Sequence, residues 1–158
     1  MSLITEMTKD LAEDISNWIY EEPYSIYSLE NNPETILELM SGDYYAFIDD
    51  KNQLSGYFCF GKPAQIPTYD YIYSEEALDI GLGMKPILCG NGLGYTFLNA
   101  GMDFAQEQFQ VERYRLTVAS FNKRAISLYE KVGFTILKTI NHSKSGNEFY
   151  IMVREKRD

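Results

Sequence analysis

The chain has 158 residues, of which 45% are hydrophobic and 23% are charged, and its formal net charge is −9. This length suffices for one domain with a core of its own, and the composition is typical of a globular protein. The acidic balance argues against a nucleic-acid partner, since phosphates require a basic surface, but it is compatible with a cationic substrate such as an amine. Acidic charge also confers solubility without any substrate, and the sequence leaves both explanations open.

The chain offers few side chains for a disulfide framework or a metal site. Cys59 and Cys89 are its two cysteines, and His142 is its single histidine. These numbers predict a protein without a bound metal in a reduced, cytoplasmic compartment, and they remove most Ser-His-Asp schemes of catalysis. The sequence has no apolar run of membrane-spanning length and no signal-peptide pattern, so no membrane association is expected.

Hydrophobic periodicity, capping residues and turn residues predict helices and strands in a mixed order. In chain order, the predicted elements are a helix from Thr8 or Asp10 to Trp18, a helix from Pro33 to Met40, strands Tyr44–Ile48, Leu54–Phe60 and Leu78–Met84, a helix from Leu93 to Gln108, strand Arg113–Val118, a helix from Lys123 to Val132, and strands Phe134–Ile140 and Glu148–Val153. This order predicts a single α/β domain over residues 1–158, built around one sheet.

The segment EEPYSIYSLENNP, between the first two helices, is polar and aromatic and is interrupted by two prolines. It has two interpretations. It is either a surface connection or a loop whose Glu21, Tyr24 and Tyr27 contact a substrate, because loops near sites often carry specificity.

A glycine-rich turn connects the strand Leu78–Met84 to the following helix. A strand, a tight turn and a helix in this order gather backbone N–H groups and the positive end of the helix at one place, which favours an anionic ligand. Gly90, Gly92 and Gly94 lack the spacing of the dinucleotide fingerprint, since Tyr95 stands where its last glycine belongs, and no P-loop Gly-Lys-Ser/Thr follows. Two interpretations of this turn remain. It either binds a pyrophosphate through its backbone, without a metal-binding side chain, or is a tight turn without a ligand.

Two segments resemble the motifs of the GCN5-related N-acetyltransferase (GNAT) family. Met84-Lys85-Pro86 followed by Cys89-Gly90-Asn91-Gly92-Leu93-Gly94 resembles motif A, and the segment from Asn122 to Phe134 resembles motif B about thirty residues later. The resemblance covers roughly Leu78 to the C-terminus. Cys89 departs from the pattern, because the family has Arg or Gln there. That position contributes mainly through its backbone N–H, so pyrophosphate binding is expected to survive.

The resemblance implies acetyl-coenzyme A as the acetyl donor and no metal. It implies a mixed, mostly antiparallel sheet of about six to seven strands flanked by about four helices. In the family, the strand before the turn separates from the next strand, so exposed backbone at Leu82 to Met84 is expected to pair with the pantetheine arm and to polarise the thioester carbonyl. The implied cofactor contacts are Leu82, Gly83 and Met84 on the strand, Cys89, Gly90, Asn91, Gly92, Leu93 and Gly94 in the turn, and Asn122, Ala125 and Tyr129 on the later helix.

Two catalytic roles follow as hypotheses. Tyr129 matches the motif-B tyrosine that protonates the thiolate of coenzyme A, which a phenol with a pKa of about 10 can do at neutral pH. Its alternative is a core tyrosine of an amphipathic helix. Asp79, on the same strand face as Gly81 and Gly83, is the candidate base through a water chain. Nearby carboxylates and a reaction without a dedicated base stay open beside it.

The sequence therefore predicts an enzyme that transfers an acetyl group from acetyl-coenzyme A to a primary amine, by direct attack in a ternary complex. The acceptor is a small molecule or a peptide N-terminus. A non-catalytic acyl-coenzyme A-binding or sensing domain is the alternative from another class, and the missing third glycine disfavours NAD-dependent oxidoreduction. From the resemblance we also expect a homodimer as one possible assembly, in which the C-terminal strands of two copies pair.

Overall fold

The computed structural model describes residues 3–156, which contain seven strands and four α-helices. In chain order, these are β1 (Leu3–Glu6), α1 (Lys9–Ser16), α2 (Pro33–Leu39), β2 (Tyr44–Ile48), β3 (Leu54–Phe60), β4 (Leu78–Met84), α3 (Gly94–Phe109), β5 (Arg113–Ala119), α4 (Lys123–Lys131), β6 (Thr135–Asn141) and β7 (Glu148–Glu155). All seven strands lie in one sheet with the order β1-β2-β3-β4-β5-β7-β6. The chain's described helices include none that is long and apolar enough to cross a membrane.

The sheet is mixed and mostly antiparallel, as predicted. The pairs β1–β2, β2–β3, β5–β7 and β6–β7 are antiparallel, and β4 runs parallel to β5. The predicted helices and strands are confirmed, three of the strands with the predicted bounds and the other elements with ends that shift by one or two residues. The prediction missed β1, a strand of four residues that pairs with β2 at the edge of the sheet.

Capping side chains explain where three of the helices begin. Thr8 Oγ1, Asn32 Oδ1 and Asn122 Oδ1 each accept a hydrogen bond from a backbone N–H in the first turn of α1, α2 and α4, respectively. Such bonds satisfy N–H groups that have no partner inside the helix.

The chain's contacts group into two compact units, each composed of two stretches of sequence. The first comprises residues 3–59 and Leu82–Gly94, and the second comprises Phe60–Gly81 and residues 95–156. The first has a core of Met7, Ala12, Ile15, Trp18, Leu39, Ala46 and Leu54, and the second includes a cluster of Ile140, Ile151 and Val153. The predicted single domain over 1–158 stays a prediction, and residues 1–2 and 157–158 lie outside the described residues.

The parallel ladder between β4 and β5 is short. It comprises Leu78↔Tyr114 and Asp79↔Arg115, whereas β5 pairs with β7 along its whole length. The pairing described for β4 and β5 therefore ends at Asp79. This is consistent with the expected separation of the two strands.

Candidate active site

The turn between β4 and α3 adopts a backbone conformation that favours glycine. Gly90 has φ 78° and Gly92 has φ 75°, and α3 begins at Gly94. A Cβ added at Gly92 would meet nothing within 4 Å, so the backbone conformation, and not a lack of space, favours glycine there. The exposed turn therefore leads directly into the first turn of a helix, whose N–H groups lack intrahelical partners.

Two side chains of this turn bond to the backbone around it. Asn91 Nδ2 donates to the carbonyl oxygens of Ile87 at 3.1 Å and of Cys89 at 3.4 Å. Cys89 Sγ, which is half-buried, lies 3.7 Å from the carbonyl oxygens of both Met84 and Lys85. The side chain at the position of the family's Arg or Gln therefore contacts the backbone that ends β4.

Gly83 lies against the aromatic ring of Tyr57, a residue of β3. A Cβ added at Gly83 would lie 2.3 Å from Cε1 and 2.7 Å from the hydroxyl oxygen of Tyr57. The ring centroid of Tyr57 lies 6.1 Å from those of both Trp18 and Tyr44, and burial raises the pKa of its hydroxyl. Close packing against Tyr57 therefore accounts for a glycine at position 83, and the contact of Gly83 with a cofactor stays a prediction.

Tyr20 joins the segment after α1 to the end of β4. Its hydroxyl donates a 2.7 Å hydrogen bond to the carbonyl oxygen of Met84, and its backbone N–H donates to Ser28 Oγ at 2.9 Å. Burial is the main cause of the raised pKa of Tyr20, and the neighbouring Tyr57 and Cys89 add to it. The hydroxyl is therefore a hydrogen-bond donor, and not an anion, at neutral pH.

The predicted substrate residues lie in the loop that Tyr20 begins. The peptide bond between Glu22 and Pro23 is cis, and Tyr24–Tyr27 forms a single turn of 3₁₀-helix. Tyr24 and Tyr27 are half-buried, while Glu21 is exposed. The loop thus carries an exposed carboxylate and two partly covered rings, within the same unit as the end of β4.

Asp79, the predicted base, forms a buried ion pair instead of facing solvent. Its Oδ1 accepts from Arg115 Nε and its Oδ2 from Arg115 Nη2, both at 2.7 Å, and Gln65 Nε2 donates to Oδ2 at 2.8 Å. The side chains of Asp79 and Arg115 are 3% and 2% exposed. Burial opposes the charge of Arg115, but the hydrogen bonds and charge of Asp79 outweigh it, so the pKa of Arg115 rises above its ordinary value. Both carboxylate oxygens therefore already accept hydrogen bonds from Arg115, and the carboxylate is closed off from solvent.

The motif-B residues lie at the beginning and on the buried side of α4. Asn122 Oδ1 accepts from the backbone N–H of Ala125 at 3.1 Å, which caps the helix. Tyr129 is 8% exposed, and its ring centroid lies 6.1 Å from that of Phe134. Tyr129 therefore contributes to the core of its unit, and this contribution does not exclude a catalytic hydroxyl.

Sequence reasoning missed Tyr20, Tyr57 and Arg115 as residues of the site. Tyr20 and Met84 are 64 positions apart, and Arg115 and Asp79 are 36 positions apart. No local spacing marks such contacts. The one usable signal was a pair of arginines, Arg113 and Arg115, on the alternating strand β5, because an arginine that is buried there requires a buried partner.

The structure resembles solved N-acetyltransferases. A chimera of the spermidine N-acetyltransferase SpeG from Vibrio cholerae and hSSAT superposes with a TM-score of 0.70 at 15% identity, over 98% of this chain and 95% of that chain. A GNAT-family acetyltransferase from Bacillus anthracis superposes with a TM-score of 0.69 at 16% identity, over 98% and 94% of the two chains. At such low identities, the similarity shows the fold alone.

The sequence comparisons show the family. The profile of the Acetyltransferase (GNAT) family matches residues 10–134. A mycothiol acetyltransferase from Salinispora tropica is 38% identical over 53 residues, which are 34% of this chain and 17% of that protein's length. The chain therefore belongs to the GNAT family of acetyltransferases. The resemblance predicted from the two motifs is thus confirmed.

Proposed function

We propose that this enzyme transfers the acetyl group of acetyl-coenzyme A to a primary amine of a small cationic molecule, by direct attack in a ternary complex. One observation carries the proposal. The turn after β4 has positive φ at Gly90 and Gly92 and leads directly into α3. Such a backbone can bind a pyrophosphate through N–H groups, without a metal or a basic side chain.

In this proposal, backbone atoms make most of the donor's contacts. The turn from Cys89 to Gly94 binds the pyrophosphate, and the backbone of Leu82, Gly83 and Met84 pairs with the pantetheine arm. A backbone N–H of these strand residues polarises the thioester carbonyl. Asn122 and Ala125, at the start of α4, complete the contacts. The backbone N–H of Cys89 donates to the carbonyl oxygen of Pro86 at 3.1 Å, so the proposal assigns the N–H contacts with the pyrophosphate to the residues from Gly90 to Gly94.

The reaction forms one bond and breaks one. The amine nitrogen bonds to the acetyl carbon, the carbon–sulfur bond breaks, and the sulfur leaves as a thiolate. Tyr129 is the proposed acid that protonates this sulfur, because a neutral phenol can give a proton to a thiolate at pH 7. The amine loses its proton to solvent or to an exposed carboxylate. Asp79 is not proposed for this step, since both of its oxygens accept from Arg115.

The proposed acceptor is an amine that carries positive charge. The net charge of −9 favours a cation, and the loop after α1 carries the exposed carboxylate of Glu21 and the partly covered rings of Tyr24 and Tyr27. Carboxylates and aromatic faces both attract ammonium groups. The superposed Vibrio cholerae protein is named for its action on spermidine, which supports testing polyamines first.

The test is an assay of coenzyme A release with acetyl-coenzyme A and a panel of polyamines, aminoglycosides and peptides with a free N-terminus. Tyr129→Phe should lower kcat by about a hundredfold or more, the usual contribution of a general acid, and should keep the affinity for acetyl-coenzyme A. Tyr69→Phe is the matched control, because Tyr69 is 94% exposed. Acetyl-coenzyme A binding with no turnover on any amine would favour the sensing domain instead.

A further inference from the structure

We propose that the ion pair of Asp79 and Arg115 is a positioning pair, which fixes the point where β4 leaves β5. It thereby holds the backbone of β4 in the conformation that binds acetyl-coenzyme A. This inference rests on the proposed function for its consequence in catalysis. It concerns residues that take no part in the chemistry themselves.

The two residues occupy the end of the parallel ladder. Asp79 and Arg115 are direct partners in register, one pair after Leu78 and Tyr114, and the described pairing of β4 with β5 stops there. Past this pair, β4 has no described ladder partner on β5, although β3 stays its neighbour on the other side, so Asp79 is the last residue through which β5 holds β4. Arg115 holds that residue with two parallel 2.7 Å hydrogen bonds, a geometry that restricts both position and orientation.

The same pair also fixes the connection between β3 and β4. Arg115 Nη2 donates to the carbonyl oxygen of Ser74 at 2.9 Å, and its guanidinium carbon lies 5.0 Å from the centroid of the Tyr73 ring. Gln65 donates to Asp79 Oδ2, and the backbone N–H of Gly61 donates to the Asp79 carbonyl oxygen at 2.9 Å. Asp79 and Arg115 therefore join the end of β3, the connection to β4, and the two parallel strands at one place.

Stability alone is a poor explanation for this pair. Removing two charges from water has a large desolvation penalty, and well-packed apolar residues of similar volume often give equal or greater stability. A fork of donors has another effect, because it permits few relative orientations of the groups that it joins. The ion pair of Asp79 and Arg115 is therefore better explained as a contact that fixes the relative orientation of β4 and β5 where the two strands separate.

The chain contains a matched control on the same strand. Arg113 lies two positions before Arg115 and forms an exposed ion pair with Glu155, at 2.6 Å between Nε and Oε1, with side chains 36% and 68% exposed. Exposed pairs contribute little, so Arg113→Met should leave both β4 and acetyl-coenzyme A binding unchanged.

The experiment compares wild type, Arg113→Met, Arg115→Lys and the double variant Asp79→Leu/Arg115→Met. Hydrogen exchange of the backbone amides from Ile80 to Met84 is measured without ligand, together with the melting temperature, kcat and KM for acetyl-coenzyme A. Arg115→Lys keeps the charge and loses the fork. The double variant removes both charges, so it leaves no buried charge unpaired.

In both Arg115 variants, the backbone amides of Ile80 to Met84 should exchange hydrogen at least about tenfold faster than in the wild type. The double variant should keep the wild-type melting temperature. KM for acetyl-coenzyme A should rise by at least about tenfold, with a smaller change in kcat; a tenfold change in an equilibrium constant corresponds to 1.4 kcal/mol. The inference would be overturned if the Arg115 variants had the same exchange rates in β4 and the same KM for acetyl-coenzyme A as Arg113→Met. It would also be overturned by a uniform rise of exchange over the chain, or by a double variant that does not fold, since the pair would then serve the fold itself.

The failure of the proposed function has a different signature. Calorimetry on the wild type would then detect no acetyl-coenzyme A binding. The exchange of β4 without ligand would still decide whether the pair positions the strand.

Discussion

The hydroxyl of Tyr20 donates a 2.7 Å hydrogen bond to the carbonyl oxygen of Met84, which joins the segment after α1 to the last residue of β4. The backbone N–H of Tyr20 also donates to Ser28 Oγ, and the two bonds are made from the two ends of one residue. Tyr20 thus holds the start of the loop that carries the proposed acceptor residues against the strand proposed to bind the thioester.

Tyr20→Phe should lower stability and weaken acceptor binding together. The variant removes the donor to the Met84 carbonyl, so the free energy of unfolding should fall by about 1 kcal/mol, a typical value for one hydrogen bond. KM for the amine should rise, because the loop of Glu21, Tyr24 and Tyr27 loses its bond to β4. Urea unfolding and steady-state kinetics measure the two effects. An unchanged KM beside reduced stability would show that the loop does not depend on this bond.

Alkaline pH should destabilise the protein through three half-buried tyrosines. Burial raises the pKa of Tyr20, Tyr44 and Tyr57 above the ordinary value of 10.0. Above about pH 10 the unfolded chain loses these protons while the folded chain keeps them, so the unfolded state binds fewer protons and stability falls as pH rises. The stability that these three tyrosines contribute is fully present below about pH 10, and it is lost as the pH rises toward their raised pKa values.

Tyr20→Phe removes one of these groups and tests the sign. Between about pH 9 and pH 11, the variant should lose about 1.4 kcal/mol less stability than the wild type, which is the contribution of one such group over this interval. Denaturant titrations at the two pH values give the difference. The exposed Tyr69→Phe should lose as much stability as the wild type, and equal losses in all three proteins would contradict the burial of Tyr20.

Gly83→Ala should destabilise the protein through the ring of Tyr57. The new Cβ would lie 2.3 Å from Cε1 of that ring, so the ring must move, and overpacking of this kind usually costs about 1–3 kcal/mol. Tyr57→Leu should relieve the clash, so the effects of the two substitutions should not add in the double variant. Gly146→Ala is the control, because its Cβ would meet nothing within 4 Å and its effect should add to that of Tyr57→Leu.

Much of the fold could be predicted from the sequence because its signals are local. The caps Asn32 and Asn122 each bond to an N–H three residues ahead, and the alternation of β5 is visible within seven residues. β1 was missed because four residues at the edge of a sheet carry almost no periodicity. Its strand is specified by pairing with β2, which no local pattern reveals.

The candidate site was predictable only where a motif marks it. The glycine turn and the segment from Asn122 to Phe134 are recognisable from the spacing of their motif residues. The role of Asp79 as a base, by contrast, was predicted from strand alternation alone. Alternation placed Asp79 beside Gly81 and Gly83 without revealing Arg115, its partner in register on β5. The environment of a carboxylate depends on residues distant in sequence, and that environment decides between a base and one half of an ion pair.

Asn122 offers a test that separates capping from cofactor binding. Asn122→Ala should lower the free energy of unfolding by about 1 kcal/mol, because the N–H of Ala125 loses its acceptor. Asn122→Ser keeps a capping oxygen and should restore most of this loss. If the amide also contacts the pantetheine arm, KM for acetyl-coenzyme A should rise in both variants. Asn32→Ala removes the equivalent cap of α2 and should lower stability with KM unchanged.

Gly92→Ala should weaken acetyl-coenzyme A binding beyond its effect on stability, and Gly146→Ala provides the comparison. Both glycines have φ 75°, and at both positions a Cβ would meet nothing within 4 Å. Each alanine should therefore cost about 1–2 kcal/mol through the left-handed backbone alone. At Gly92 the turn relieves this strain by changing shape, which displaces the N–H groups proposed to bind the pyrophosphate. Calorimetry should show at least about a tenfold weaker Kd for Gly92→Ala and a wild-type Kd for Gly146→Ala. Equal Kd values with equal losses of stability would remove the turn from the binding site.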